Sequence, residues 1–485
     1  MHEIILTPAH WVFLATVVAI LVFMVLRRGI IAPSIIGIFL IGILAAKAGT
    51  SFLDRVVFSV QVVFRAIIEA TDGLLGIMVV IALMVAMLDS LKLQKVDQMI
   101  VAPLKKIMTT PVRSFFILGI TMYLFSIFFW PTPSTAIVGT IVLPFAVSAG
   151  LPRMAATIAE NLFGHGMALA ADPIIQGAAH LTGTAAGVSP GAIVPWSLLF
   201  SFIIGAIAIG WSFIRIRREM KSGVLVADPP GTFNVATSND SAQSEISVST
   251  KYAKVLAVGV PLIFLLIVLL IVTRALFDPA HAIKGEKATQ LIGGTAMMIL
   301  VISTLLGREK GKIDTMATHL RAGFFFALRI FTPILPIAAF FFLGQAHMAS
   351  KIIGAGAPGY LFDFATLASH HLALDPFTLV FGISFIGMLT GLDGSGFSGL
   401  PLVGALAGSL GTAAHLNVVV LASAVQVAEV FFGSGCAIAW SFGAAADAGV
   451  GGVDVNDLVR RNLVPVLVGT VVMCVVAGVL LKMHV

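Results

Sequence analysis

Ala159-Glu160-Asn161-Leu162-Phe163-Gly164-His165-Gly166 and, in the second half of the chain, Ala428-Glu429-Val430-Phe431-Phe432-Gly433-Ser434-Gly435 decide the fold. Five of the eight aligned positions are identical. Each octet follows a long apolar stretch interrupted by a polar centre. Each leads through a Gly/Ala-rich run and a short loop into a last apolar segment, which starts near Val194-Pro195 or Leu463-Val464-Pro465. The same order of parts twice over indicates two related halves.

Composition says where those halves reside. Of 485 residues, 59% are hydrophobic and 11% charged, and the mean hydropathy is +1.06, so the chain lacks the polar residues to clothe a water-soluble surface of its size. The net charge of +6 is scattered between apolar runs, which argues against nucleic acid as a partner and for a lipid bilayer. Cys436 and Cys474 sit in apolar segments without disulfide or metal-ligand spacing and read as packing residues. The start at His2-Glu3 has no basic leader, so the first apolar run reads as a retained span.

A window of about 17–25 apolar residues places full-length spans near 10–27, 29–48, 72–91, 152–184, 194–214, 253–275, 288–307, 324–345, 415–447 and 462–483. Two further stretches are too long for one span and break at Trp130-Pro131-Thr132-Pro133-Ser134-Thr135 and Leu392-Asp393-Gly394-Ser395-Gly396-Phe397-Ser398-Gly399. These read as hairpins that return within the membrane. The expected fold is all-α: two inverted repeats, each of about five transmembrane helices plus a re-entrant hairpin. The first repeat, 1–217, holds scaffold helices 10–91, an arm 92–111, hairpin 112–148, broken helix 152–184 and last span 194–217. A polar linker, 218–251, with Pro229-Pro230-Gly231, precedes the second repeat, 252–485. That repeat holds scaffold 252–345, arm 346–374, hairpin 375–411, broken helix 415–447 and last span 461–484. An odd number of spans per half inverts the second repeat. With the N-terminus outside, the inner face collects Lys92, Lys95, Lys105, Lys106, Arg215, Arg217, Arg218, Arg460 and Arg461 among others, as cytoplasmic loops should, and the linker is cytoplasmic.

Broken helices at the meeting of inverted repeats are where transporters place their sites. Gly164 and Gly166 flank His165, and Gly433 and Gly435 flank Ser434. Two glycines two residues apart invite unwinding, because each costs about 1 kcal/mol of helix propensity. Packing between small residues is the plainer role for them. Glu160 and Glu429 are the strongest single candidates, since an ionisable side chain in a span is costly and by default functional. A protonated structural carboxyl is the alternative. Asn161 follows the first glutamate, and His165 has the chemistry of a proton relay. In the hairpin tips, Thr132, Ser134, Thr135, Ser395 and Ser398 offer hydroxyls for a carboxylate or sodium, although such side chains often satisfy local backbone instead. Asp393 is a charge on a tip that calls for cation coordination or protonation. Asp172, Gln176, His180 and Gln426 are weaker candidates for the same cavity. Asp72 and Asp89, near the ends of a span, read as caps or as facing water, and Lys351 and His370-His371 as solvated arm residues. No phosphate loop, paired-cysteine metal site or nucleophile elbow is present, so the chain is not read as an enzyme.

In this arrangement the chain resembles the ion transporter superfamily, which holds gluconate–proton symporters, four-carbon dicarboxylate carriers, citrate symporters and divalent anion–sodium symporters. The resemblance covers nearly the whole chain and lies in architecture. Where the divalent anion branch has Ser-Asn-Thr tips, this chain has Pro131-Thr132-Pro133-Ser134-Thr135 and Asp393-Gly394-Ser395-Gly396-Phe397-Ser398-Gly399. It implies a homodimer with moving hairpin domains in a bacterial inner membrane. It also implies a small organic anion, such as a carboxylate, as substrate, with sodium or protons as coupling ions and no cofactor. A cation/proton antiporter on the same scaffold is the alternative, and a non-transporting membrane subunit the third.

Overall fold

In lipid the backbone must satisfy its own polar groups, so an apolar chain with this patterning folds as helices. The structure, a computed structural model, describes residues 6–26, 28–47, 49–228, 251–277, 281, 283, 286–307, 311–371 and 374–483. Residues 229–250 of the expected linker lie outside the described residues, as do His2-Glu3 and the side chains of Asp393, His370 and His371.

The first half runs α1 (Pro8–Val25), α2 (Ile31–Ala45), α3 (Phe52–Leu93), α4 (Val96–Val101), α5 (Leu104–Ile107), α6 (Pro111–Phe129), α7 (Pro131–Ile137), α8 (Leu143–Ser148), α9 (Arg153–Asn161), α10 (Leu169–Ala171), α11 (Gly177–Ala186) and α12 (Pro190–Lys221). The second runs α13 (Lys251–Phe277), α14 (Glu286–Leu306), α15 (Lys312–Phe331), α16 (Ile334–Phe342), α17 (Ala346–Ile352), α18 (Tyr360–His371), α19 (Pro376–Thr390), α20 (Leu400–Ala413), α21 (Val418–Phe431), α22 (Phe442–Gly451) and α23 (Val455–Lys482). No strand occurs among the described residues.

Seven helices are long and apolar enough to cross a membrane, or eight if the bent pair α15 and α16 is one span. Two of the seven, Pro111–Phe129 and Pro131–Ser148, are arms of the first hairpin, so five of the ten full-length spans expected are matched, and segment 152–184 is broken into α9, α10 and α11. Segments 10–27, 29–48 and 288–307 carry shorter apolar helices, and segment 324–345 is split by a 53° bend after Phe331, at Thr332-Pro333, where proline lacks the amide that would continue the helix. Segment 72–91 is only the second half of α3, which is 42 residues long. Ser51 caps it by accepting the Asp54 amide at 3.1 Å, and no proline interrupts it. At 1.5 Å per residue α3 extends about 63 Å, twice a hydrocarbon core. Asp72 therefore lies in mid-helix rather than at a span end, and it is exposed, as its water-facing reading expects.

Two packing groups result. Helix α3 packs with α2, α14, α15 and α16. A polar seam joins α3 to α14, where Ser90 bonds Ser303 and the Gln94 amide donates to the Ser303 carbonyl at 2.5 Å. The second group interlaces the halves: α12 packs on α21 and α23, α11 on α20, and α22 on α7 and α9.

One ionic cluster ties the last span of each half at the polar end. Arg461, 13% exposed, reaches Glu219 at 2.5 Å and Asp457 at 3.0 Å, while Arg215 reaches Glu219 at 2.8 Å. Replacing Arg461 by Ala is expected to cost about 1 kcal/mol, since the carboxylates keep water and Arg215 and Arg460 as partners. Thermal unfolding in detergent should show a drop in Tm of a few degrees.

A candidate ion and solute site where the broken helices cross

The glycine pairs do distort their helices. Leu162–Ala168 and Phe432–Cys436 form wide π turns, and the chain leaves helix altogether at Asp172–Gln176 and at Ala437–Ser441. A π turn inserts a residue into the hydrogen-bond ladder and re-aims its neighbours. The two turns touch each other. The Ser434 hydroxyl donates to the His165 carbonyl at 2.8 Å, and the Asn161 amide donates to the Gly435 carbonyl at 3.1 Å.

Around one carboxyl of the second half the first half supplies the donors. Asp447, on α22, accepts from the Thr135 hydroxyl at 2.7 Å, the Asn161 amide at 2.8 Å and His165 Nδ1 at 2.9 Å. Asn161 is oriented in turn by Asn462, whose amide donates to Asn161 Oδ1 at 2.9 Å. Glu160, Asn161, His165, Ser434, Asp447 and Asn462 are all fully buried. Three donors around one carboxyl suit an acceptor-only carboxylate. Glu160, the next buried acid, has no hydrogen-bond partner on either oxygen among the described residues. The Asp447 carboxyl is near enough to repel it. A methyl group at Gly139 would lie 2.7 Å from Glu160 Oε1, so glycine there makes the room for that carboxyl.

Both interrupted stretches end inside the protein: Pro131 and Gly394 are buried. Trp130 turns the first tip with φ of 70°, and its ring lies 5.2 Å from that of Phe397 on the second, so the tips meet. Thr132 reaches His165 Nε2 at 3.5 Å. The remaining tip hydroxyls are bonded locally. Ser134 donates to the Trp130 carbonyl, and Ser395 donates to Ser398 at 3.0 Å while accepting from the Phe397 and Ser398 amides. Glu429 is fully buried against the second hairpin, where a methyl at Gly399 would come within 2.6 Å of its Oε1. Gly164 packs on Met122, Gly166 on Phe431 and Cys436, and Gly433 on Gly391 and Gly396.

Asp172 accepts from the Gln176 and Ala178 amides at 3.0 and 3.1 Å, so it caps α11. Gln426 donates to Ser197 and to the Ala170 carbonyl. Sequence reasoning did not single out Asp447 or Asn462. A lone acid in the Gly/Ala-rich run after the octet was the available signal for Asp447. Two cavities, of about 530 Å³ beside Tyr360 and about 280 Å³ beside Gln345, lie elsewhere, and neither is lined by Glu160, Glu429 or Asp447. Closed to solvent, the crossing can hold a proton or small cation between Glu160 and Asp447, with His165 as an intermediary toward the first tip.

No protein-family model matches the chain. It is 32% identical over 486 residues to "Uncharacterized membrane protein YhfA" of Bacillus subtilis (strain 168), covering 99% of this chain and 100% of that protein. Its fold is similar to that of Neisseria gonorrhoeae MtrF, described as illuminating a class of antimetabolite efflux pumps, with a TM-score of 0.58 and 12% identity. That likeness covers 99% of this chain and 96% of the MtrF chain.

Proposed function

Since the chain belongs to the family of the Bacillus subtilis membrane protein YhfA, we propose that it is an ion-coupled secondary transporter whose solute moves between the hairpin tips and the crossed helices. The observation that carries this reading is the crossing itself: Asp447 of one half is ligated by Thr135, Asn161 and His165 of the other, with an unpartnered, buried Glu160 alongside. Such a group is costly in lipid unless it binds something. The likeness to the fold of MtrF, an efflux pump by its description, adds support for transport.

In this reading the halves are inverted repeats, residues 112–148 and 375–411 are re-entrant hairpins, and the inner membrane holds the protein with its linker in the cytoplasm. Protons or sodium ions bind at Glu160 and Asp447, and a small organic carboxylate binds by the tips. The implied homodimer comes from the superfamily alone. A cation/proton antiporter is the second reading. It is favoured by three fully buried acids, Glu160, Glu429 and Asp447, with no buried lysine or arginine among the described residues.

Purified protein in liposomes carrying an internal pH dye tests both. An imposed pH or sodium gradient should drive uptake of a labelled carboxylate, with dye response in the same vesicles. Sodium-driven proton movement without organic solute would favour the antiporter. Vesicles no leakier than protein-free ones under every gradient would sink the coupling claim.

A further inference from the structure

Buried polar groups that lack partners state what a ligand must bring. Besides the Ser126 hydroxyl next to Gly164, the closed crossing holds two sets of unmet groups of opposite kind. On α9 and the neighbouring α23 they are acceptors: both Glu160 oxygens and Asn462 Oδ1. At the first tip the unmet group is a donor, the Trp130 indole N–H, on a side chain 2% exposed. The two places are linked, because Thr132, two residues beyond Trp130, touches His165, which shares Asp447 with Asn161, the neighbour of Glu160.

Charge narrows the ligand further. Glu160 and Asp447 repel each other, and no lysine or arginine is buried among the described residues to offset them. A carboxylate alone would add a further negative charge there. A bare metal ion would meet the acids but leave the Trp130 donor unmet. A protonated amine brings N–H donors and one positive charge, which suits Glu160 and Asn462. A carboxylate on the same molecule accepts from the indole.

We propose that the solute is a small amino-carboxylate, a zwitterion whose ammonium group sits on Glu160 and whose carboxylate lies by Trp130 at the joined tips. This rests on the transport reading above and adds the ammonium to it.

The test pairs molecules that differ only in that group. Glutamate, β-alanine and alanine are each compared with their N-acetylated forms, and succinate stands for a dicarboxylate. The readouts are Tm of the purified full-length protein and counterflow in the liposomes described above. At least one free amine should raise Tm by about 2 °C or more, its acetylated partner should not, and Glu160→Gln should abolish the difference. Trp130→Phe, which keeps an aromatic ring but removes the N–H, should weaken counterflow of the same amine about tenfold. Equal responses to amine and acetylated forms, or a response to succinate alone, would overturn the ammonium assignment and leave coupled transport standing. No response to any probe, with gradient-driven proton movement intact, would overturn the substrate class. If proton movement is absent too, the transport reading itself fails.

Discussion

Asp447→Asn is expected to cut gradient-driven transport by about 100-fold or more, equivalent to roughly 2.7 kcal/mol in the rate-limiting barrier. The substitution keeps the size of the side chain but turns one of two acceptor atoms into a donor. That donor would face the Thr135 hydroxyl, the Asn161 amide or His165 Nδ1, each fully or nearly fully buried with no water to turn to. A buried donor left without an acceptor costs about 1–3 kcal/mol, and Asp447→Ala, which removes the acceptor all three share and leaves Thr135 only the Pro131 carbonyl and Asn161 only the Gly435 carbonyl, should cost more and lower Tm further. Glu160→Gln separates coupling from folding. It removes an acid that no side chain bonds, so Tm should hold or rise, while accumulation driven by a pH gradient is lost. If Asp447→Asn keeps more than half of the wild-type initial rate at an unchanged Tm, the crossing does not carry the function.

The second large effect is steric. Gly396, in the second tip, has φ of +63°, and a methyl group there would lie 2.6 Å from the Ser434 amide nitrogen. Gly396→Val adds both a left-handed backbone cost of about 1–2 kcal/mol and a collision with the π turn. The tip cannot then seat against the broken helix. Transport should fall at least about tenfold by the barrier arithmetic used above. Cys436, fully buried beside the Asn161 carbonyl, should become reactive to a thiol reagent while Cys474 stays protected. Gly382→Ala is the control, because nothing lies within 4 Å of a methyl group there. Unchanged Cys436 protection together with unchanged transport in Gly396→Val would show that the tip does not close against Ser434.

Much of the crossing was readable because the octet repeats. Glu160, Asn161, His165 and Ser434 stand within it, and glycines two apart announce the distorted turns. Asp447 and Asn462 were not readable that way. At the offset that aligns Glu160 with Glu429, Asp447 falls opposite Ala178 and Asn462 opposite Ile193, so the comparison of halves highlights neither. Their roles depend on α22 and α23 packing beside α9, a long-range contact that no local pattern encodes. Helix α3 was half hidden for a different reason. Asp54, Arg55, Arg65, Glu69 and Asp72 dilute the hydropathy of its first turns without breaking the helix, because an exposed charge costs a helix little while a proline would cost about 3 kcal/mol. The tip serines mislead in the opposite direction: residue type suggested ligands, yet Ser134, Ser395 and Ser398 spend their bonds on neighbours.

The mutual dependence of the halves also sets a schedule for biogenesis. His165 is synthesised 282 residues ahead of Asp447, and at about 5–20 residues per second the interval is on the order of tens of seconds. Throughout that time Thr135, Asn161 and His165 are already translated and have no aspartate to bond. Thr135 can fall back on the Pro131 carbonyl of its own half, but Asn161 and His165 need other partners until α22 arrives. A chain ended before α22 would lack the acceptor that Thr135, Asn161 and His165 share.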